Sequence, residues 1–341
     1  MEDYPRQPVT GRMLWTRADL RESDWLWPLA PAEIADLDAA LLRLQARGLA
    51  AGEFERADFD LPVLGPRLAA VRDELLEGRG FAVLRGLPVE RYSVPELEII
   101  YWGIGTHLGR GSTQNEDGNI ISHVTMHDER QLAAQGGRMV RGYQDRRYQE
   151  PHNDRADLVG LLCVRTARSG GSSAILNSTA MVNDIMVNHP EYLPYFFRGF
   201  RLWRGDTVTD EPAKVFSWYK GKLYVWYSSR NIERAIARTA PLPAEEQAAI
   251  DYLTRIALEP KYRVEMDMIP GDMQFVSNYT VMHSRTAYED HDDPARWRLL
   301  LRLWLNVPEY DTALDPEFAK YTRRTVYPER KQEQQMSGAA A

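Results

Sequence analysis

The sequence predicts one α+β domain built on a β-barrel or sandwich core with helices around it. Three observations carry that reading: amphipathic helices dominate the first third, short strands separated by turns dominate the remainder, and neither an internal repeat nor a linker divides the 341 residues. The length could hold two average domains, but barrel-type folds with helical additions run this long as a single unit. With 44% apolar and 10% aromatic residues there is ample material for a core, which excludes global disorder.

Taken in order, residues 31–47 read as a helix, because Ile34, Leu37, Leu41 and Leu44 recur at helical spacing between Pro31 and Gly48. A second helix over about 66–77 stops at Gly78, and the run Phe81 to Arg85 then enters the main sheet. Ser93 with Glu96 three residues on predicts a capped helix over about 94–108. From Gly109 to Glu150, Gly and Asn interrupt every period, so the stretch is expected to be mostly loop, either a lid over a site or a plain connector. Leu158 to Ala167 reads as an apolar strand holding Cys163 as a buried thiol. Helices over about 178–188 and 190–197 are followed by a hairpin, Val215 to Tyr219 and Leu223 to Tyr227, turning at Lys220-Gly221. Its aromatics, Phe216, Trp218, Tyr224 and Trp226, serve either the core or a pocket wall. A helix over 243–258 leads to strands at Tyr262 to Met268, Met273 to Val276 and Tyr279 to His283, with a turn at Pro270-Gly271-Asp272. The polar tail beyond Pro308 is expected to fray over its last ten or so residues. A helical region of about 1–79, a core of about 80–307 and a tail of about 308–341 thus form a single catalytic domain.

Charge and cysteine usage narrow the function classes. The net charge of −7 comes without a basic run, so a nucleic-acid track is not expected and a small-molecule partner is. One cysteine excludes an intrachain disulfide and any Cys-rich zinc or iron–sulfur site. No apolar leader opens the chain and no uncharged apolar run approaches the ~18 residues of a membrane span. A cytoplasmic protein, with a homo-oligomer left open, is the expectation.

Within that frame, Pro151-His152-Asn153-Asp154 stands out. On an extended backbone, residues two apart share a face, so His152 and Asp154 could grip one cation together. Two histidines and a carboxylate on one face of a metal is the arrangement of non-haem Fe(II) oxygenases. The pair alone is equally a hydrogen-bonded surface pair. A second imidazole would have to come from His189, His283 or His291. His189 lies between helices and His291 in an acidic turn, whereas His283 ends an apolar strand where it is either a satisfied core histidine or a ligand. Further on, Trp297, Leu299, Leu301, Leu303 and Leu305 alternate with Arg298, Leu300, Arg302 and Trp304. A strand apolar on both faces is covered on both, so Arg298 and Arg302 each need an anion, from protein carboxylates or from a bound acid.

Together, His152-Asn153-Asp154, Gly170-Gly171-Ser172-Ser173, Pro270-Gly271-Asp272, His283-Ser284-Arg285 and Arg298-Leu299-Leu300-Leu301-Arg302 resemble the TauD/TfdA family of Fe(II)- and 2-oxoglutarate-dependent dioxygenases, over roughly residues 80 to 307. The resemblance implies a distorted double-stranded β-helix, a jelly roll, within the α+β domain. It implies His152, Asp154 and His283 on Fe(II), and Arg298, aided by Ser173, on the remote carboxylate of 2-oxoglutarate. Arg302 matches a position that meets substrate carboxylate or sulfonate in some relatives. Gln114, Asn115 and Tyr143 in the long loop region are further candidates for polar substrate contacts. The implied reaction uses O2 to convert 2-oxoglutarate into succinate and CO2 while a C–H bond of a small organic substrate, an anionic one on the reading of Arg302, is hydroxylated or desaturated. Family halogenases lack the carboxylate ligand, and Asp154 is present. The competing readings are a zinc hydrolase using the same three ligands, which gives Arg298 no task, and an inactive cupin-like binding protein, against which the intact ligand set stands.

Overall fold

In the computed structural model, which describes residues 4–115, 118–127, 145–204 and 207–324, the run after Asp154 forms strand Leu158–Arg165 at the centre of a seven-stranded sheet. Along that sheet lie Leu26–Pro28, Phe81–Arg85, Met273–Ser277, Leu158–Arg165, Leu299–Asn306 and Arg110–Gly111, with Ile121–Val124 also paired to Leu299–Asn306. A four-stranded sheet runs Arg263–Met266, Ser173–Asn177, Val281–Arg285 and Gln149–His152. Between them, Phe81, Val83, Val159, Val276 and Trp304 of the larger sheet and Ile175, Val264, Met266 and Val281 of the smaller form one buried apolar cluster. Mixed sheets with helices outside make an α+β fold.

The Leu299–Asn306 strand is buried on both faces, as its alternation predicts. Leu299, Leu301, Leu303 and Leu305 enter the large cluster shared with the N-terminal helices, while Leu300 and Trp304 belong to clusters on the opposite side. Helices Pro31–Ala46, Gly65–Leu76 and Val94–Leu108 cover that first face. Glu96 accepts both the backbone N–H and the hydroxyl of Ser93 at 2.7 Å, which caps the third of these helices. The hairpin strands Phe216–Tyr219 and Lys222–Val225 are antiparallel, and Lys220 and Gly221 both take positive φ, 51° and 75°, as a tight two-residue hairpin turn requires.

One expectation is refined, and one element is found where none was expected or excluded. Within the described part of 109–150, Ile121–Val124 is a strand paired with Leu300 to Leu303 rather than loop, formed by long-range pairing that no local period announces. The polar segment after the hairpin contains helix Ser229–Ile236, a short helix that buries Ser229, Ile232 and Ala235 and carries few apolar residues in all. Beyond Pro308, helix Pro316–Thr322 anchors itself by burying Phe318. Among the described residues, no helix is long and apolar enough to cross a membrane.

Candidate metal and co-substrate site

His152 ends one strand of the smaller sheet and His283 sits directly opposite it in register. Their rings lie 4.5 Å apart, and Asp154, two residues on from His152, brings its Oδ1 to 4.0 Å from His152 Nε2 and its Oδ2 to 3.9 Å from His283 Nε2. The donor atoms of all three lie within 4.8 Å of one another, close enough to share one ion. The Glu150 carbonyl, 2.7 Å from His152 Nδ1, fixes the tautomer that keeps the Nε2 lone pair for a metal. Burial first, then His152 and Arg302 against Asp154, hold His283 down at about 3, so it stays neutral with a lone pair open to a cation. For Asp154 burial opposes ionisation, but Arg302, the two imidazoles and the Trp304 indole outweigh it and keep the carboxylate charged.

Asn153, between the two ligands, locks the segment in place. Its amide donates to the carbonyls of Asn278 and Val281 at 2.8 Å, and its carbonyl oxygen accepts the Tyr227 N–H at 2.9 Å. Asn278 in turn accepts the Asp154 N–H at 3.1 Å and donates to the Ala156 carbonyl at 2.8 Å. The Asp154 carboxylate receives Trp304 Nε1 at 3.0 Å and Arg302 Nη1 at 3.2 Å on the same oxygen. Arg302 is steered by Gln114, which accepts from its Nε at 2.8 Å and donates to its carbonyl at 2.6 Å.

On one side of this group a small cavity is lined by Ser173, Arg285, Arg298 and Leu300 along with the three candidate ligands. Arg298 is buried, its Nη1 has no hydrogen-bond acceptor among the described residues, and its guanidinium lies 5.1 Å from the Tyr288 ring. Gly171, at φ +81°, makes room for it, since a Cβ there would stand 3.2 Å from Arg298 Nε. Ser173 Oγ donates to Gln274 at 3.1 Å inside the cavity wall, while the neighbouring Ser172 bonds Asp267 nearer the surface. A buried guanidinium with an open Nη1, on which Asp290 acts only through space, beside an open metal group, fits an acid that chelates the metal at one end and is clamped at the other. On the other side a larger cavity of about 460 Å³ shares His152, Asp154 and Arg302.

The structure thus brings together His152, Asp154, His283, Ser173, Arg298 and Arg302. Gln114 supports Arg302, and Asn115 accepts the Asn119 N–H at 3.0 Å to close a turn; neither is among the residues lining the two cavities. Tyr143 lies outside the described residues. Arg285 was not singled out for a role by sequence, although it lies two residues beyond His283 on the same strand and hence on the same face. It lines the small cavity, packs 4.7 Å from the Tyr288 ring, and donates through Nη2 to the Asp145 and Arg147 carbonyls. Trp226, one of the hairpin aromatics, does both things expected of it, joining the core and lining the larger cavity, where its indole donates to the Asp154 carbonyl at 2.8 Å.

An open two-histidine, one-carboxylate group backed by a buried arginine with an open Nη1 defines the class of non-haem Fe(II)/2-oxoglutarate-dependent dioxygenases, which hydroxylate small molecules. More particularly, residues 45–304 match the model of the taurine catabolism dioxygenase TauD, TfdA family, and the chain belongs to that family. It is 32% identical over 319 residues to FR-33289 synthase of Streptomyces rubellomurinus, an alignment covering 90% of this chain and 93% of that one. Among solved structures it is similar to asparagine oxygenase in complex with Fe(II), 2S,3S-3-hydroxyasparagine and succinate, with a TM-score of 0.64 at 17% identity over 86% of this chain and 97% of that one. It is also similar to the non-haem iron oxygenase OrfP in complex with Fe and alpha-ketoglutaric acid, with a TM-score of 0.62 at 16% identity over 82% and 94% of the two chains.

Proposed function

We propose that His152, Asp154 and His283 hold Fe(II), that Arg298 with Ser173 binds the remote carboxylate of 2-oxoglutarate in the small cavity, and that the larger cavity receives a small organic substrate. The two sheets with an apolar filling between them support the reading of the core as a distorted double-stranded β-helix. The observation that carries the assignment is the buried Nη1 of Arg298, without an acceptor among the described residues, in the same cavity as the three ligand side chains. Bound iron, with 2-oxoglutarate and O2, supplies the oxidising power that hydroxylates or desaturates a C–H bond and leaves succinate and CO2.

The chain's own residues hold and shape. Glu150 and Asn153 orient His152, Asn278 sets the Asp154 backbone, and Trp304 and Arg302 keep the carboxylate ionised and aimed. Arg302 lines both cavities, so it supports a metal ligand and at the same time forms part of the substrate wall. Gln114 serves the substrate through Arg302. Tyr143 is proposed as a further polar contact to the substrate, and Asn115 as a support for the turn next to Gln114. The intact carboxylate ligand favours hydroxylation or desaturation. A zinc hydrolase would leave Arg298 buried without purpose.

The test is succinate formation by the Fe(II)-loaded protein with 2-oxoglutarate and O2 across a panel of small metabolites. Arg298→Leu should raise the half-saturating 2-oxoglutarate concentration at least about tenfold, the effect of losing one charge-assisted contact of roughly 1.5–3 kcal/mol. An unchanged requirement for 2-oxoglutarate would remove Arg298 from the co-substrate site.

A further inference from the structure

The larger cavity is unusually cationic for the substrate side of a protein whose net charge is −7. Among the described residues its lining holds six arginines, Arg147, Arg155, Arg204, Arg230, Arg234 and Arg302, against the four carboxylates of Asp145, Glu150, Asp154 and Glu233. Part of this charge is matched locally. Arg147 pairs with Asp145 at 2.5 Å, Arg302 reaches Asp154 at 3.2 Å, and Arg230 acts on Glu233.

Arg155 and Arg204 are different. They converge on one neutral acceptor, the Tyr321 carbonyl, with Arg204 Nη2 at 2.7 Å and Arg155 Nε at 3.2 Å. Arg155 Nη2 adds the Arg323 carbonyl at 3.0 Å, and the Arg204 guanidinium lies 5.0 Å from the Trp226 ring. Those carbonyls lie at the C-terminal end of helix Pro316–Thr322 and just past it, a place that attracts cations but neutralises none. Among the described residues no carboxylate acts on either guanidinium; burial, and then Arg155 and Arg324, pull Arg204 down to about 9, which still leaves it charged at neutral pH. Two like charges held together away from bulk water, each with donors left over, need an anion with several acceptor oxygens.

We propose that Arg155 and Arg204 form an oxyanion subsite that binds a doubly charged phosphoryl group, a phosphate monoester or a phosphonate, at the end of the primary substrate remote from the oxidised carbon. The charge count selects this class: an excess of two arginines in the lining matches a dianion, whereas a carboxylate or sulfonate brings one charge. The inference rests on the reading of this cavity as the substrate site of the dioxygenase.

The test is anaerobic calorimetric titration of the Fe(II)- and 2-oxoglutarate-loaded protein with four probes of similar length: propyl phosphate, propylphosphonate, propanesulfonate and butyrate. At mildly alkaline pH one or both dianions should bind at least about tenfold more tightly than the monoanions, and the stronger of the two names the phosphoryl type. Arg204→Gln and Arg155→Gln, checked for folding by circular dichroism, should each abolish that preference. Equal affinity for all four probes, tighter binding of the sulfonate or carboxylate, or no dianion binding at millimolar concentration would overturn the subsite without recourse to variants. So would folded variants that keep the preference. The visible charge-transfer absorbance of the wild-type Fe(II)–2-oxoglutarate complex, recorded in the same samples, separates the two ideas. If it is present and the dianions fail, only the subsite falls; if it is absent, the dioxygenase assignment of the site falls.

Discussion

Asp154 Oδ2 accepts both the Trp304 indole N–H and Arg302, and these contacts hold the carboxylate in the orientation in which its other oxygen faces His152. Partners of a metal ligand commonly matter nearly as much as the ligand, because they set its orientation and charge distribution. Trp304→Phe keeps an aromatic ring beside Arg302 while removing the donor and part of the indole's volume. We expect metal affinity to fall about tenfold, at the low end of the usual range for such changes, measured by anaerobic titration with Mn(II) as a redox-inert stand-in; an affinity equal to wild type would show that Arg302 alone orients Asp154. At this scale the sequence was informative about ligands and poor about their partners. His152, His283 and Arg302 lie on strands, where a two-residue period fixes the face, and Asp154 and Arg298 stand within two residues of a strand end, so the same pattern pointed to them. Arg155 and Arg204 could not, since they meet only through the carbonyl of Tyr321, over a hundred positions from either.

At the scale of elements, the helices and strands that present the site are braced by close approaches and by a few buried polar bonds. Gly160, in the central strand, would drive a Cβ to 2.3 Å from Tyr101 Oη and 2.9 Å from Phe275 Cε1, so Gly160→Ala must displace two large aromatic side chains. Such overpacking costs about 1–3 kcal/mol, to be seen as a lower denaturation midpoint with an unchanged denaturant slope. Asp184, on helix Ser178–Asn188, accepts from Tyr252 at 2.6 Å and from Tyr262, and so ties that helix to Ala244–Ile256 and to the start of the smaller sheet. Burial works against its ionisation, but the two phenols, Asn188 and Lys261 outweigh burial and lower its pKa. A carboxyl depressed in the folded state stabilises the protein above its unfolded pKa of about 3.9 and loses that contribution as pH falls through the folded value. Stability should therefore decline below about pH 4–5, and Asp184→Asn should flatten that decline; an identical acid limb in the variant would place the acid-sensitive group elsewhere. The long amphipathic helices and the hairpin were legible because their signals are local. Strand Ile121–Val124 was not, because its partner lies far along the chain, and helix Ser229–Ile236 was not, because a helix lining a polar cavity carries few apolar residues.

Over the whole molecule, the site is a seam between the two sheets. His152 and His283 come from the smaller sheet, while Arg298 immediately precedes the Leu299–Asn306 strand of the larger one. The Asn153 and Asn278 bonds fasten Asp154 across the gap. Metal bound to the first group therefore ties together one sheet, and 2-oxoglutarate reaching from metal to Arg298 would tie both. Ligands that bind only the folded state stabilise it by mass action, about 2.7 kcal/mol at a hundredfold excess over Kd. For a chain of this size that corresponds to a rise in Tm of a few degrees. We expect Mn(II) alone to raise Tm, 2-oxoglutarate alone to do little, and the two together to add a further increment, since the acid needs both anchors. Arg298→Leu should keep the metal increment and lose most of the second one. Asn278→Ala should lower Tm without ligand and also shrink the metal increment, because it frees the backbone on which Asp154 is mounted. If Arg298→Leu retained the full combined shift, the acid would be held from one sheet only, and Arg298 would be a core cation whose counter-ion must be sought elsewhere.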